Sequence, residues 1–197
     1  MGSNHPVDDL GRVLPDAGWP PGRGAVGELE RVRRFLNTTN LESGADRLGS
    51  AAAARRWLGS EGHPVPRRLS AVDVERLRQL RERLRDAVSP GAAAAGAARE
   101  IDRLTASVTF RVRFEAGVHL EPAGPGVDRF LGWLLATVHE ATVAGTWGRL
   151  KSCRNPHCRW VYYDHSRNAG GAWCSTDACG ARLKARAYRT RQRESRP

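Results

Sequence analysis

Lysine is almost missing from this chain. It occurs only at positions 151 and 184, so nearly all of the 32 basic residues are arginines. Together with the abundant alanine this looks like the codon bias of a GC-rich genome, and it carries no functional meaning. Cysteine is absent from the first 152 residues; all four lie between positions 153 and 179. No apolar run approaches the ~18 residues of a membrane-spanning helix. The start of the chain lacks a charged-then-apolar leader pattern. Pro6 stands where a myristoylation signal opening with Met1-Gly2 requires Ser or Thr. No nucleophile–base constellation, phosphate-binding glycine loop or internal repeat can be picked out. These absences exclude a membrane span, argue against an enzyme and point to the cytoplasm. Thiols stay reduced there, and paired cysteines are metal ligands more often than disulfides.

What is present is unevenly distributed. With 197 residues the chain is long enough for one or two domains with a real core. Its net charge is +11. Residues 149–197 hold twelve basic and three acidic side chains, whereas the preceding 148 hold twenty and eighteen. The positive excess therefore sits with the cysteines, the electrostatic footprint expected of a nucleic-acid-binding segment.

Read in order, residues 1–25 are rich in proline and glycine and form an irregular segment. A first helix is expected from about Gly27, with Leu29, Val32, Phe35 and Leu36 on one face. Ser50 can cap a second helix over residues 51–58, with Trp57 and Leu58 as anchors and a loop from Gly59 to Arg68. Ser70 and Asp73 form a capping-box-like start to a third helix. Val74, Leu77, Leu80, Arg81, Leu84 and Val88 follow at helical spacing as its core stripe, and the arginines of its other face are expected in solvent. An alanine-rich helix follows over 92–104. Val108, Phe110, Val112 and Phe114 then alternate with polar residues, the mark of a half-buried strand, and 118–121 can return as its hairpin partner. A long helix over 127–143 carries Phe130, Leu131, Leu134, Leu135, Val138 and Ala141. His139 within it reads as structural. Gly145 to Gly148 is the junction to the C-terminal segment. The fold expected is mainly α with a small β-hairpin: a helical domain over 26–145, then a compact module over 149–194.

That module holds Cys153, Cys158, Cys174 and Cys179, two C-x4-C pairs separated by fifteen residues. This is the spacing of a four-thiolate zinc site. Two disulfides or four free thiols are the alternatives. Pro156 bends the first pair, between segments with strand character. Ser175 or Thr176 can cap a helix whose first turns contain Cys179. A hairpin knuckle followed by a helix-start knuckle is a treble-clef-like finger, with one structural Zn2+ per chain. His157 is expected beside the site rather than in it, because neighbouring residues seldom both bind one ion, and His165 likewise. Four thiolates leave no open position for catalytic water.

Beyond Cys179, Arg182, Arg186, Arg189 and Arg193 recur at i, i+4, i+7 and i+11 and share one helix face, flanked by Lys184 and Arg191. Such a face suits phosphates, and its arginines can also read guanine. Arg154, Arg159 and Arg167 can widen the patch. Trp160, Tyr162 and Tyr163 suit base stacking, but packing around a small metal core is the stronger reading of them.

These residues carry a family resemblance. Cys153 and Cys158, the aromatic run ending at Tyr163, Asp164 and Ser166, Trp173-Cys174-Ser175, Cys179-Gly180 and Arg182-x-Lys184 together resemble the CGNR zinc finger, a bacterial family. Phe35-Leu36-Asn37-Thr38 followed by Trp57-Leu58 is similar to the start of the ABATE domain that precedes this finger. The chain departs from the pattern at Ala181, which replaces the naming Asn, and at 169–172, where basic residues are usual. The resemblance implies a DNA-binding transcriptional regulator of the cytoplasm, nucleoid-associated. Its finger would hold duplex DNA, and its helical domain would sense a small-molecule effector or form a homodimer. An RNA-binding or protein-interaction finger is the alternative.

Overall fold

The computed structural model describes residues 23–63, 66–115, 117–181, 185 and 188. Five helices come first in the N-terminal part: α1 (Glu28–Leu36), α2 (Ala51–Ser60), α3 (Ala71–Ala87), α4 (Ala92–Thr105) and α5 (Val127–Val143). A hairpin of β1 (Phe110–Arg113) and β2 (His119–Pro122) joins α4 to α5. The C-terminal part has a second hairpin, β3 (Leu150–Ser152) and β4 (Val161–Tyr163), and a π-helical turn, Thr176–Gly180. About half of the described residues are helical.

Local chemistry sets the helix starts. Ser50 Oγ accepts the Ala53 N–H at 3.2 Å and begins α2. At α3 the capping box is reciprocal: Ser70 Oγ accepts from Asp73 N–H, and Asp73 accepts from Ser70 N–H at 2.8 Å. Gly59 and Ser60 continue α2 two residues past the expected boundary. The apolar stripes converge on one core in which Phe35 meets Phe130 edge-on at 5.3 Å and Trp57 at 5.8 Å. At Gly132 a side chain would come within 2.7 Å of Pro122, so the missing Cβ lets β2 lie against α5.

Two expectations are overturned. The arginines of α3 are not all in solvent, because the α1–α2 loop folds back over that helix. Arg81, on the inward stripe as expected, grips both oxygens of Asp46 at 2.7 and 2.9 Å and donates to Thr38 Oγ1; the departure is its neighbour one turn on. Arg85, 1% exposed, donates to the Leu36 carbonyl and pairs with Glu82. Burial pushes the Arg85 guanidinium down to about 10, and Glu82 opposes that shift. Burial also raises the Asp46 carboxyl, but the Arg81 contact outweighs it and holds it below the usual range. The β1–β2 strand face is not half-buried throughout. Its base packs against α5, while Val112, Phe114 and Val118 near its tip are exposed.

The C-terminal hairpin is bound into the helical core. Side chains alternate across a strand, and β4 uses both faces. Val161 and Tyr163 enter the helical core with Leu150, whereas Trp160 and Tyr162 pack with the cysteines. Asn37, at the end of α1, serves β4 as a one-residue strand. Its Nδ2 donates to the Val161 carbonyl at 2.7 Å, and its Oδ1 accepts the Val161 N–H at 2.8 Å. Ser152 N–H donates to the Val88 carbonyl, and Tyr163 N–H to that of Arg23. Of the N-terminal segment expected to be irregular, residues 1–22 lie outside the described residues.

Candidate metal centre

The first knuckle is a tight turn organised by Asn155. Its carbonyl accepts the N–H groups of Cys158 and Arg159, and its Oδ1 accepts the His157 N–H. Arg159 leaves the turn in the left-handed region (φ 49°). Asn155 Nδ2 lies 3.7 Å from Cys179 Sγ, a donor aimed at a sulfur of the second knuckle. That knuckle begins where Ser175 Oγ accepts the Ala178 N–H. Gly180 closes the π turn onto the Ser175 carbonyl, under the Trp173 ring, where a Cβ would sit 3.2 Å from the indole.

The two knuckles bring the four sulfurs together, all within 4.8 Å of one another. Cys158–Cys174 and Cys174–Cys179 are each 3.7 Å apart. Four ligands at ~2.3 Å from a tetrahedral ion stand ~3.8 Å apart along each edge, so the donor set fits such an ion. None of the four cysteines is in a disulfide, and the 3.7 Å separations are far beyond a sulfur–sulfur bond of ~2.05 Å, so the disulfide alternative does not hold here. Cys153, Cys174 and Cys179 are buried and Cys158 is half-buried. Among themselves the thiols divide. Hydrogen bonding from Cys158, Cys174 and Cys179 favours the thiolate of Cys153, whereas Cys158 and Cys174, tied first to Cys153, are pushed up. Four sulfurs this close cannot all ionise without a counter-charge, which a bound divalent cation would supply.

The surroundings are built to hold the second knuckle in place. Asp164 is fully buried at the end of β4. It takes Lys151 Nζ at 2.9 Å and the N–H groups of Ser166 and Gly171. Burial pushes its carboxyl up, but these donors outweigh burial and hold it below the usual range. At Gly171 a Cβ would meet Asp164 Oδ2 at 2.8 Å. One glycine of the departing 169–172 stretch is therefore required by packing. The structural roles of Asn37, Asn155 and Asp164 escape the sequence reading. The Asn-Pro dipeptide at 155–156 is a turn signal that could have found Asn155.

The other sequence-predicted residues are placed as follows. His157 is exposed and His165 turns away, its Nε2 2.8 Å from the Gly24 carbonyl oxygen. Trp160, Tyr162 and Tyr163 are all buried. Arg154 and Arg167 are exposed. Arg159 does not widen the basic patch, because it is spent on α3, reaching Asp86 at 2.6 Å and Glu82 at 3.8 Å. Ala181 is exposed and helical, as are Ala185 and Tyr188. Arg182, Lys184, Arg186, Arg189 and Arg193 lie outside the described residues.

A helical domain locked to a hairpin-plus-helix module with four convergent cysteines defines a protein of the zinc-finger class. The model of the family described as "CGNR zinc finger" matches residues 149–192. That of ABATE, described as "Putative stress-induced transcription regulator", matches residues 29–145. The ABATE match spans more than half of the chain, and the chain belongs to this family. A search of curated proteins finds none that matches.

Proposed function

We propose that this protein is a zinc-dependent regulator that binds duplex DNA through its C-terminal basic helix. The observation that carries the reading is the sulfur cluster. Its spacing suits a tetrahedral ion, and its second knuckle opens directly into the arginine-rich end of the chain. Zinc suits four thiolates that close the site, and it would act structurally, leaving the protein without catalytic chemistry. Arg182, Lys184, Arg186, Arg189 and Arg193 are the phosphate and base contacts, joined by exposed Arg154 and Arg167. The helical domain senses an effector or dimerises. Among the described residues no helix is long and apolar enough to cross a membrane. This is in keeping with a cytoplasmic, nucleoid-associated protein.

Burial of Trp160, Tyr162 and Tyr163 leaves these rings no face for unpaired bases, which favours duplex DNA over single-stranded RNA. The test is fluorescence anisotropy with a random-sequence duplex over a salt series, using protein shown by metal analysis to hold one zinc. Arg186→Ala combined with Arg189→Ala should weaken binding at least ~10-fold and flatten the log–log salt slope by about two. Duplex affinity indifferent to both changes, or a preference for single-stranded RNA in competition, overturns the reading.

A further inference from the structure

We propose that the seam between the helical domain and the finger is a binding site for a small organic anion, an acidic head on a planar apolar body. A cavity of about 320 Å³ opens there, between the end of α3 and β3. That volume lies within the range of small-ligand sites, which favour domain boundaries. Residues 87–90 line it from the helical side; Leu150, Lys151, Ser152, Arg154 and Gly171 line it from the finger. Trp147 and Gly148 close the gap between the two sides.

The lining contains two cations and no acid. Lys151 is already committed, its Nζ held by Asp164 and the Ala169 carbonyl. Arg154 is different. Its N–H is fixed to the Ala172 carbonyl at 3.1 Å, which anchors the backbone, but its exposed guanidinium has no side-chain partner among the described residues. The two serines offer little to an anion. Ser89 Oγ donates to the Arg85 carbonyl at 2.7 Å and Ser152 Oγ to that of Arg159 at 3.3 Å. The choice of a negative head therefore falls to Arg154, whose planar fork suits a carboxylate or a phosphate monoester. Trp147 and Pro90 supply apolar surface for the body, while Val88 and Leu150, which border the cavity, are buried in the core.

The Ser152 N–H to Val88 carbonyl bond crosses this seam at 3.1 Å. A ligand here touches both parts of the protein at once and stabilises their docked arrangement by mass action. It would be the effector site of the regulator proposed above, and only that consequence rests on the regulator reading. The binding itself is measured without DNA, so a protein that takes the anion but no duplex sinks the regulator and leaves the pocket standing.

The experiment uses zinc-loaded full-length protein, with titrations followed by the indole N–H resonance of Trp147. The probes are benzoate, phenyl phosphate, neutral benzamide and inorganic phosphate. Benzoate or phenyl phosphate should shift Trp147 saturably, with benzamide at least ~10-fold weaker, the worth of one charge-assisted hydrogen bond. Arg154→Gln should erase that preference. Gly148→Leu, at the cavity wall, should block all binding; a Cβ at Gly148 meets nothing within 4 Å, so the added side chain starts without a clash, and an unchanged far-ultraviolet spectrum checks the fold. Equal affinity for benzoate and benzamide, no saturable shift with either anion, or unchanged binding in both variants overturns the proposal. Inorganic phosphate matching phenyl phosphate overturns the apolar half of it.

Discussion

The helical domain and the finger close their interiors in different ways. The helical core gathers large aliphatic and aromatic side chains from all five helices or their ends, with Phe35, Leu58, Leu77, Leu104 and Leu131 among them. At roughly 25 cal/mol per Å² of apolar surface buried, such a core holds itself together without an ion. The second cluster has five buried members, and three of them are cysteines. Trp160 and Tyr162 give this cluster little apolar surface, and on the zinc reading proposed above metal–thiolate bonds would supply much of its stabilisation. β4 therefore has to satisfy both regimes. One face packs into the hydrophobic core and the other against the cysteines, so on the zinc reading loss of the ion should be felt in the helical core as well.

The largest test of this contrast removes the ion. Chelation of zinc-loaded protein, or Cys174→Ser, should withdraw stabilisation on the order of 10 kcal/mol from the finger. If β4 couples the two regions, the thermal midpoint of the helical domain falls too while its far-ultraviolet signal remains largely helical. A helical midpoint indifferent to chelation would show that the two regions are independent. A finer cut spares the ion. Asn37→Ala leaves the N–H and C=O of Val161 without the partners that Asn37 supplies, at a cost of about 2–4 kcal/mol by chemical denaturation. Because β4 carries that loss into the finger, zinc affinity should drop in the same variant; an unchanged affinity breaks the coupling.

The smallest effect confines itself to the helical side. His63 lies between Phe130 and Trp133, with Arg31 Nη2 3.2 Å from its Nδ1. Burial first, and then the Arg31 charge, holds its imidazole down at about 4 from an ordinary 6.5, with Glu28 opposing. The folded state therefore keeps His63 neutral where the unfolded chain takes up a proton. Its contribution is intact above pH 6.5 and is lost as pH falls from 6.5 towards 4. Between pH 7 and pH 5 this amounts to about 2 kcal/mol. His63→Phe should remove that part of the acid-side decline in unfolding free energy and leave zinc stoichiometry unchanged. Parallel pH profiles for the two proteins would rule out the neutral buried state.

Much of the architecture is legible in the chain, because it rests on neighbours. The stripe Leu29, Val32, Phe35, Leu36 and the Ser70–Asp73 box act within one or two turns, and both form as expected. So does α5 over its whole length. The cysteine spacing predicts the cluster because each knuckle closes over a few residues. Arg85 was not legible. Its position along α3 reads as solvent-facing, and only the returning loop at 38–46, distant in sequence, turns that face inward. Phe114 fails in the opposite direction: alternation promises a buried face, but α5 reaches only the base of the hairpin.

By itself, then, the sequence determines the helices with their caps, the two knuckles and the concentration of positive charge at one end, all consequences of short-range spacing. The tertiary structure alone decides the rest. It decides that Asn37 completes β4, that Arg159 is drawn off to Asp86, that Asp164 is buried among donors, and that a cavity opens at the seam. Each of these depends on groups more than a turn apart in the chain, or on opposite sides of the domain boundary. A buried polar group must find its partner wherever the packed chain supplies one, and residue spacing does not encode where that will be.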